Sequence, residues 1–368
     1  MKKHIVIATI LEFGGGNSHL QYLTQYLAEH QILLLVESSQ QVAFLKQLGF
    51  NSTSVHIIKL HPSAQFRSSS LFKSAKEALQ VIKSIIKVSW LAVKNRSKTI
   101  TISAIESEKY FYLMWIPFIK VVYILHSKPL AKGSRFTDYS ANILLQGKKE
   151  IITVSNANKN DIIQSWNIKK KRQDRIHVIH NYVDTTFFNH EKNSKKEKII
   201  LTLGHVAEYK NPEIWLQTAL RLTRLRPEVR FIWAGNGVLF EHYKSITENL
   251  ERISFIGFTR EIKELFLNAT IYYQPSLIET HGIAVLEAMS FNIPCVVSRV
   301  GGLPETVESD YNGLVVDPSD LNAHVEAISM LLDNHSLVTK LVQNSQKRLR
   351  KDFSKEIFQQ KMNIIYRN

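Results

Sequence analysis

The sequence contains a single cysteine, Cys295, so no internal disulfide can form and the chain suits a reducing, cytoplasmic compartment. Long apolar runs are missing as well. The longest, Tyr110 to Ile119, is ten residues, contains Pro117 and is bracketed by Lys109 and Lys120, whereas a spanning helix needs about 20. A cleavable leader is not expected, because the apolar stretch of MKKHIVIATIL ends at Glu12 and leads into glycines without a small-residue cleavage site. Acidic residues are scarce in one half only. Met1 to His190 holds 25 Lys+Arg against 11 Asp+Glu, while Glu191 to Asn368 holds 22 against 21, so nearly all of the net +15 belongs to the first half. That asymmetry points to an anionic partner for one domain. Helix-turn-helix, zinc-finger, RRM and KH signatures are absent, which argues against nucleic acid as that partner.

What is present describes two folded domains. The 368 residues exceed one ordinary core, and 44% hydrophobic with 21% charged residues excludes wholesale disorder. Short β-branched runs alternate with helical segments, the pattern of parallel α/β sheets. A first series of strands is expected at Ile5–Thr9, Ile32–Val36, Ser54–Ile58, Thr99–Ser103, Val121–Leu125 and Ile151–Val154. A second is expected at Ile199–Leu203, Arg230–Ala234, Ile253–Phe255, Ile271–Tyr273, Cys295–Ser298 and Leu314–Val316. Between them EKNSKKEK has no apolar side chain. The expected division is therefore a Rossmann-like domain at 1–190, a linker at 191–198 and a second Rossmann-like domain at 199–352. The last helix, 353–368, either covers the second domain or crosses back to the first.

Two segments carry chemistry. After the first strand, Gly14, Gly15 and Gly16 lead into a helix whose free amides favour an anion such as a diphosphate, although a plain tight turn reads the same way. The dinucleotide G-x-G-x-x-G spacing fails at His19, and Glu37 is the sole acidic candidate for a ribose contact, which disfavours a nicotinamide oxidoreductase. The stronger segment is SLIETHGIAVLEAMSFNIPCVVSRVGGLPETV. If a helix begins near Gly282, Glu279 lies in the loop before it and Glu287 one and a half turns inside. Both carboxylates then face one cleft at a strand's carboxyl end, beside the free amides of His281, Gly282 and Ile283.

This string resembles the E-x7-E signature of the retaining, nucleotide-sugar-dependent glycosyltransferases of the GT-B fold, family 4. Further matches are IITVS at Ile151–Ser155, HNYVDTTFF at His180–Phe188, LTLGHVAEYKN at Leu201–Asn211, WAGNG at Trp233–Gly237 and FIGF at Phe255–Phe258. The resemblance implies two Rossmann-like domains with parallel sheets facing across a cleft, the first for the acceptor and the second for the donor. It assigns Glu287 to the ribose, Glu279 to the donor sugar, and Lys210 to the diphosphate. The 281–283 amides support sugar and phosphate. Gly15, Gly16, His205 and Phe258 join the donor site, and His126 reaches the donor sugar. The implied partners are a nucleotide diphosphate sugar and a saccharide or lipid-linked acceptor, in surface polysaccharide or glycolipid assembly. No D-x-D triplet offers ligands for a metal-bridged diphosphate, so neither metal nor other cofactor is expected.

Three positions depart from the family pattern. His205 replaces an arginine, Tyr182 a linker glycine, and Asn292 a glycine before Pro294. A titrating group in place of a permanent cation is expected to weaken diphosphate binding or make it pH-dependent, and a catalytically impaired sugar-nucleotide-binding homologue is the alternative to an active transferase. Outside the motifs, Lys73, Lys76, Lys83, Lys87 and Lys94 share one face of a helix, beside Leu71, Ala75, Ala78, Leu79, Ile82, Ile85 and Ile86 as an opposing or flanking apolar stripe. The lysines read as a solvated face, as adhesion to an anionic membrane surface, or as a site for a phosphorylated acceptor.

Overall fold

The computed structural model describes residues 3–8, 15–27, 31–47, 54–60, 75–104, 108–129, 135–183 and 197–367. The chain divides into two compact units, Met1–Ile179 with Ile364–Asn368, and His180–Asn363. Most of the expected linker, and Asp184 to Phe188 of the HNYVDTTFF segment, lie outside the described residues.

The first unit contains β1 (Lys3–Ala8), α1 (Gly15–Tyr26), β2 (Gln31–Val36), α2 (Ser39–Gln47), β3 (Ser54–Ile57), α3 (Ala75–Lys94), β4 (Thr99–Ala104), β5 (Lys120–Leu125), α4 (Arg135–Leu144), β6 (Lys149–Thr153), α5 (Asn156–Ser165) and β7 (Ile176–Val178). Its seven-stranded sheet has the order β3-β2-β1-β4-β5-β6-β7, with every pair parallel. The order reverses direction between β1 and β4, which opens a crevice at their carboxyl ends. β5 is buried throughout, even at Lys120, whose Nζ donates to the carbonyl of Ile365. Tyr366 joins the same unit through a 2.8 Å hydrogen bond between its hydroxyl and Thr101 Oγ1.

In the lysine-bearing helix α3 the stripe read in the sequence flanks the lysines, and only part of it packs inward. Val81, Val88 and Ala92 are buried in the core, with Ile85 and Leu91 packed against it. Leu79, Ile82 and Ile86 stay exposed, as do Lys83, Lys87 and Lys94. Val81, Val88 and Ala92 share a face opposite Leu79 and Ile86, so the core selected the β-branched and small side chains of the other side. Lys73 and Leu71 lie outside the described residues, and Lys76 falls in the first turn.

The second unit contains β8 (Lys198–Leu203), α6 (Pro212–Leu225), β9 (Val229–Ala234), α7 (Phe240–Thr247), β10 (Ile253–Gly257), α8 (Ile262–Asn268), β11 (Ala269–Gln274), α9 (Ile283–Ser290), β12 (Cys295–Ser298), α10 (Leu303–Thr306), β13 (Leu314–Val316), α11 (Leu321–Asp333), α12 (His335–Asp352) and α13 (Lys355–Tyr366), the last three residues of α13 belonging to the first unit. Its sheet runs β10-β9-β8-β11-β12-β13, also all parallel. Alternate residues of each strand enter different cores. Ile200, Phe231, Trp233, Ile271 and Tyr273 meet Trp215, while Leu201, Tyr272, Cys295 and Val297 meet Val285, Met289 and Leu303. Helix starts are capped by side chains, each typically worth about 1 kcal/mol: Asn211 accepts from Ile214 N, Asp320 from Ala323 N and Asn334 from Leu337 N.

Two of the unusual sequence positions have structural reasons. Asn292 follows α9 with φ 59°, a left-handed conformation that asparagine tolerates better than other side chains, so it does the glycine's job. Tyr182 is buried and packs on Phe358 of α13 with ring centroids 5.0 Å apart.

Candidate functional site

In the second unit the strand order reverses between β8 and β11, and His205, Lys210, Glu279 and His281 lie on the segments that leave these two strands. β8 ends at Leu203 and leads through Gly204, with φ 142°, to a short 3-10 turn at Glu208–Lys210. Trp233 fixes this departure from the core side, donating from Nε1 to the Gly204 carbonyl at 2.9 Å. β11 ends at Gln274. The amides of Leu277 and Ile278 then donate to the carbonyl of Tyr209 at 2.8 and 3.1 Å, which ties the second loop to the first.

That tie brings Lys210 and Glu279 together. Lys210 Nζ donates to Glu279 Oε2, and both side chains are mostly buried, at 15% and 14% exposure. Gln274 Nε2 donates to the same carboxylate oxygen at 2.6 Å. Tyr272 in turn donates to Gln274 Oε1 at 2.9 Å and to the Leu203 carbonyl at 3.3 Å. A chain of four side chains thus spans the ends of β8 and β11. Sequence reasoning found its charged members and missed Gln274, Tyr272 and Tyr209, which no spacing rule marks.

The Gly301-Gly302 pair sets the height of Glu279. Gly302 N donates to the Glu279 carbonyl at 3.1 Å, and Gly301 has φ 51°. A Cβ on Gly301 would collide with that same carbonyl oxygen, so only glycine allows this approach.

Gly282, at φ 87°, caps α9, and its carbonyl accepts from the amides of Val285 and Leu286 at 3.0 and 3.3 Å. Glu287 lies within α9. Burial pushes its carboxyl up to about 7, and its field also reaches Tyr272. The side chain of His281 has a different part: it is buried, stacked on His180 at 5.1 Å, edge-on to Phe353 at 5.6 Å and 3.4 Å from Asn181 Nδ2. It anchors the 280s loop, and its carbonyl accepts from Thr306 Oγ1 at 3.0 Å.

His205 is partly exposed and its Nδ1 lies 3.0 Å from the Tyr209 hydroxyl. Phe258 follows β10 with its amide donating to Asn236 Oδ1 at 3.0 Å, while its ring is 45% exposed.

His126, Gly15 and Gly16 belong to the first unit. Gly15 and Gly16 open α1, and one turn later His19 packs on His126, with ring centroids 4.2 Å apart. Ser103 Oγ lies 3.0 Å from His126 Nε2. Burial first, then the neighbouring His19, hold the His126 pKa well below the usual range, so its imidazole is neutral at pH 7. These groups share the carboxyl ends of β1, β4 and β5. Glu37 is ion-paired to Lys109 at 2.9 Å and accepts from the Tyr110 hydroxyl, which leaves it committed to structure rather than to a dinucleotide ribose.

Comparison with known proteins places the fold. Residues 183–348 match the family model of glycosyl transferases group 1. An uncharacterised glycosyltransferase of Methanocaldococcus jannaschii is 26% identical over 223 residues, which cover 56% of this chain and 56% of that protein, so the chain spans little more than half of its length. A glycosyltransferase structure from Rickettsia africae superimposes with a TM-score of 0.80 at 17% identity, covering 100% of this chain and 98% of that one. The Anabaena protein HepE in complex with UDP-glucose gives 0.78 at 18% identity, with 100% of both chains covered. At these identities the likeness establishes the fold, which is GT-B.

Proposed function

We propose that the chain is a family 4, retaining glycosyltransferase that moves a sugar from a nucleotide diphosphate sugar to a saccharide or lipid-linked acceptor. The observation that carries this reading is the Lys210–Glu279–Gln274 cluster at the β8/β11 reversal, with Glu287 eight residues beyond Glu279. One cation, two carboxylates and a helix start suit a donor that is anionic at its diphosphate and hydroxylated at both ends. Glu287 would accept from the ribose hydroxyls and Glu279 from those of the sugar. Lys210 and the first amides of α9 would stabilise the negative charge that develops on the departing diphosphate. Groups fixed before reaction stabilise that charge most in the transition state, which lowers the barrier rather than only tightening binding. A neutral His126 suits a hydrogen bond to a sugar hydroxyl better than an ion pair to phosphate. The bound UDP-glucose of HepE supports a nucleotide sugar as the donor class.

In this reading a donor phosphate oxygen helps to deprotonate the acceptor hydroxyl, transfer keeps the anomeric configuration, and no metal takes part. Polysaccharide or glycolipid assembly is the proposed setting. A panel of nucleotide sugars tested by thermal shift should contain a donor that raises the unfolding midpoint. That donor should be turned over equally with and without EDTA, give a product of unchanged anomeric configuration, and lose turnover in Glu279→Ala. Failure of every donor to stabilise the protein would overturn the assignment.

A further inference from the structure

Helix α3 carries a second feature that the donor site does not use. At about 100° per residue, Leu79, Ile82, Ile86, Trp90 and Val93 fall in one sector about 80° wide. These five side chains are 50%, 51%, 61%, 57% and 73% exposed. The sector opposite them, Val81, Val88 and Ala92, is the one buried in the core. An outward ridge of five large apolar groups on one helix exceeds the scattered exposure that a soluble surface normally shows.

Charge stands beside the ridge on one flank. Lys83, Lys87 and Lys94 occupy the next sector and are exposed, and Lys83 and Lys87 form no ion pair with any described residue. Lys94 Nζ sits 4.8 Å from the centroid of the Trp90 ring. Arg96 and Lys98, just past the helix, are exposed too, and Glu77 is the only acidic residue in α3. The ridge is thus bordered by positive charge within a first half that holds most of the chain's excess of cations.

The geometry points to α3 as an interfacial docking helix for an anionic lipid bilayer, with Leu79, Ile82, Ile86, Trp90 and Val93 entering the acyl boundary. Lys83, Lys87 and Lys94 lie level with the lipid phosphates. A membrane interface is the one surface that offers apolar depth and negative charge side by side. Tryptophan belongs there because its ring is apolar and its N–H keeps a polar partner, and lysine stems reach upward while their ammonium groups remain in the headgroups. Lysines alone would give a purely ionic adhesion that salt abolishes. The ridge adds a component that salt leaves in place. This inference does not depend on the donor or on the transfer chemistry.

The full chain is floated with phosphatidylcholine vesicles, with and without about one third phosphatidylglycerol, at low and at 0.5 M salt. Recovery is expected with the anionic vesicles and should persist in part at high salt. Lys83→Gln with Lys87→Gln should weaken partition roughly twentyfold at low salt, since each lysine near an anionic surface contributes about fivefold. Ile86→Asp with Trp90→Ser should abolish recovery at either salt, without lowering the unfolding midpoint, because neither side chain supports the core. As a milder readout, brominated lipid should quench the wild-type fluorescence, and Trp90→Phe should remove that quenching. Equal recovery of all variants, or quenching unchanged in Trp90→Phe, would overturn the proposal. So would a dimer, seen by sedimentation, that Ile86→Asp dissociates while the wild type ignores both kinds of vesicle.

Discussion

Replacing Glu287 by glutamine should make the protein more stable and worse at binding its donor. The carboxyl sits in α9 at a level where burial alone pushes its pKa from 4.5 to about 7. Between these values the folded chain keeps a proton that the unfolded chain has released, so stability falls as pH rises through this window and levels off above pH 7. At 1.36 kcal/mol per unit, the displacement corresponds to about 3 kcal/mol as an upper limit. Glutamine copies the protonated carboxyl in shape and cannot ionise. The variant should therefore match the wild type below about pH 4.5 and exceed it by up to about 3 kcal/mol at pH 8. Urea midpoints at pH 5, 6, 7 and 8, followed by tryptophan fluorescence, measure the difference, and the comparison of two proteins cancels every other titrating group. A constant gap across the range would refute the burial of a charge at this position. Donor affinity should move the other way. Ribose hydroxyls donating to an ionised carboxylate lose an acceptor in the variant, a deficit of about 1.5–3 kcal/mol, or tenfold and more.

Gly301→Ala should lower stability by about 1–3 kcal/mol and weaken the donor, because the left-handed backbone and the collision with the Glu279 carbonyl both force the loop to move; donor calorimetry and urea unfolding report the two losses. Asn292→Ala should cost about 1 kcal/mol and Asn292→Gly almost nothing, since the requirement is a left-handed φ and not the amide; equal urea midpoints for the two variants would contradict it. His205→Arg would place a permanent cation beside Tyr209 in the proposed phosphate contacts. Calorimetry at pH 8 should show the variant binding the donor several-fold more tightly than the wild type, and unchanged affinity would remove His205 from the phosphate contacts.

The two sheets were legible because a parallel strand covered on both faces has to be a short β-branched run, and Val121–Leu125 or Cys295–Ser298 read as nothing else. β7 escaped this rule. Its three residues, Ile176 to Val178, follow a run of basic and polar residues and are only partly buried after the first, so pattern had nothing to register. Motif spacing singled out Lys210, Glu279 and Glu287, since each sits at a fixed offset from a strand or helix end. Gln274 and Tyr209 act through tertiary hydrogen bonds whose partners are 5 and about 70 residues away, and no local signal marks them. The inward face of α3 was not legible for a related reason. Several apolar faces were available to one helix, and packing volume decided which of them turned inward.

The ion pair between Lys210 and Glu279 leads to the sharpest test of how the site handles charge. Before any donor arrives, the cation is already engaged by a carboxylate with 14% exposure, and the same carboxylate oxygen also accepts from Gln274 Nε2. A diphosphate must draw Lys210 away, which leaves Glu279 short of one partner in a poorly solvated place. A complete nucleotide sugar repairs this, because sugar hydroxyls donate to Glu279 as the phosphates take Lys210. A nucleoside diphosphate without the sugar does not. Glu279→Ala should therefore bind the nucleoside diphosphate more tightly than the wild type, by several-fold, since Lys210 becomes free. The same variant should lose affinity for the intact donor and lose transfer. Calorimetry with both ligands on both proteins closes a cycle in which the two effects have opposite signs. If Glu279→Ala weakens the two ligands equally, Lys210 is held by other groups, and the carboxylate contributes to the site's shape rather than to a competition for its cation.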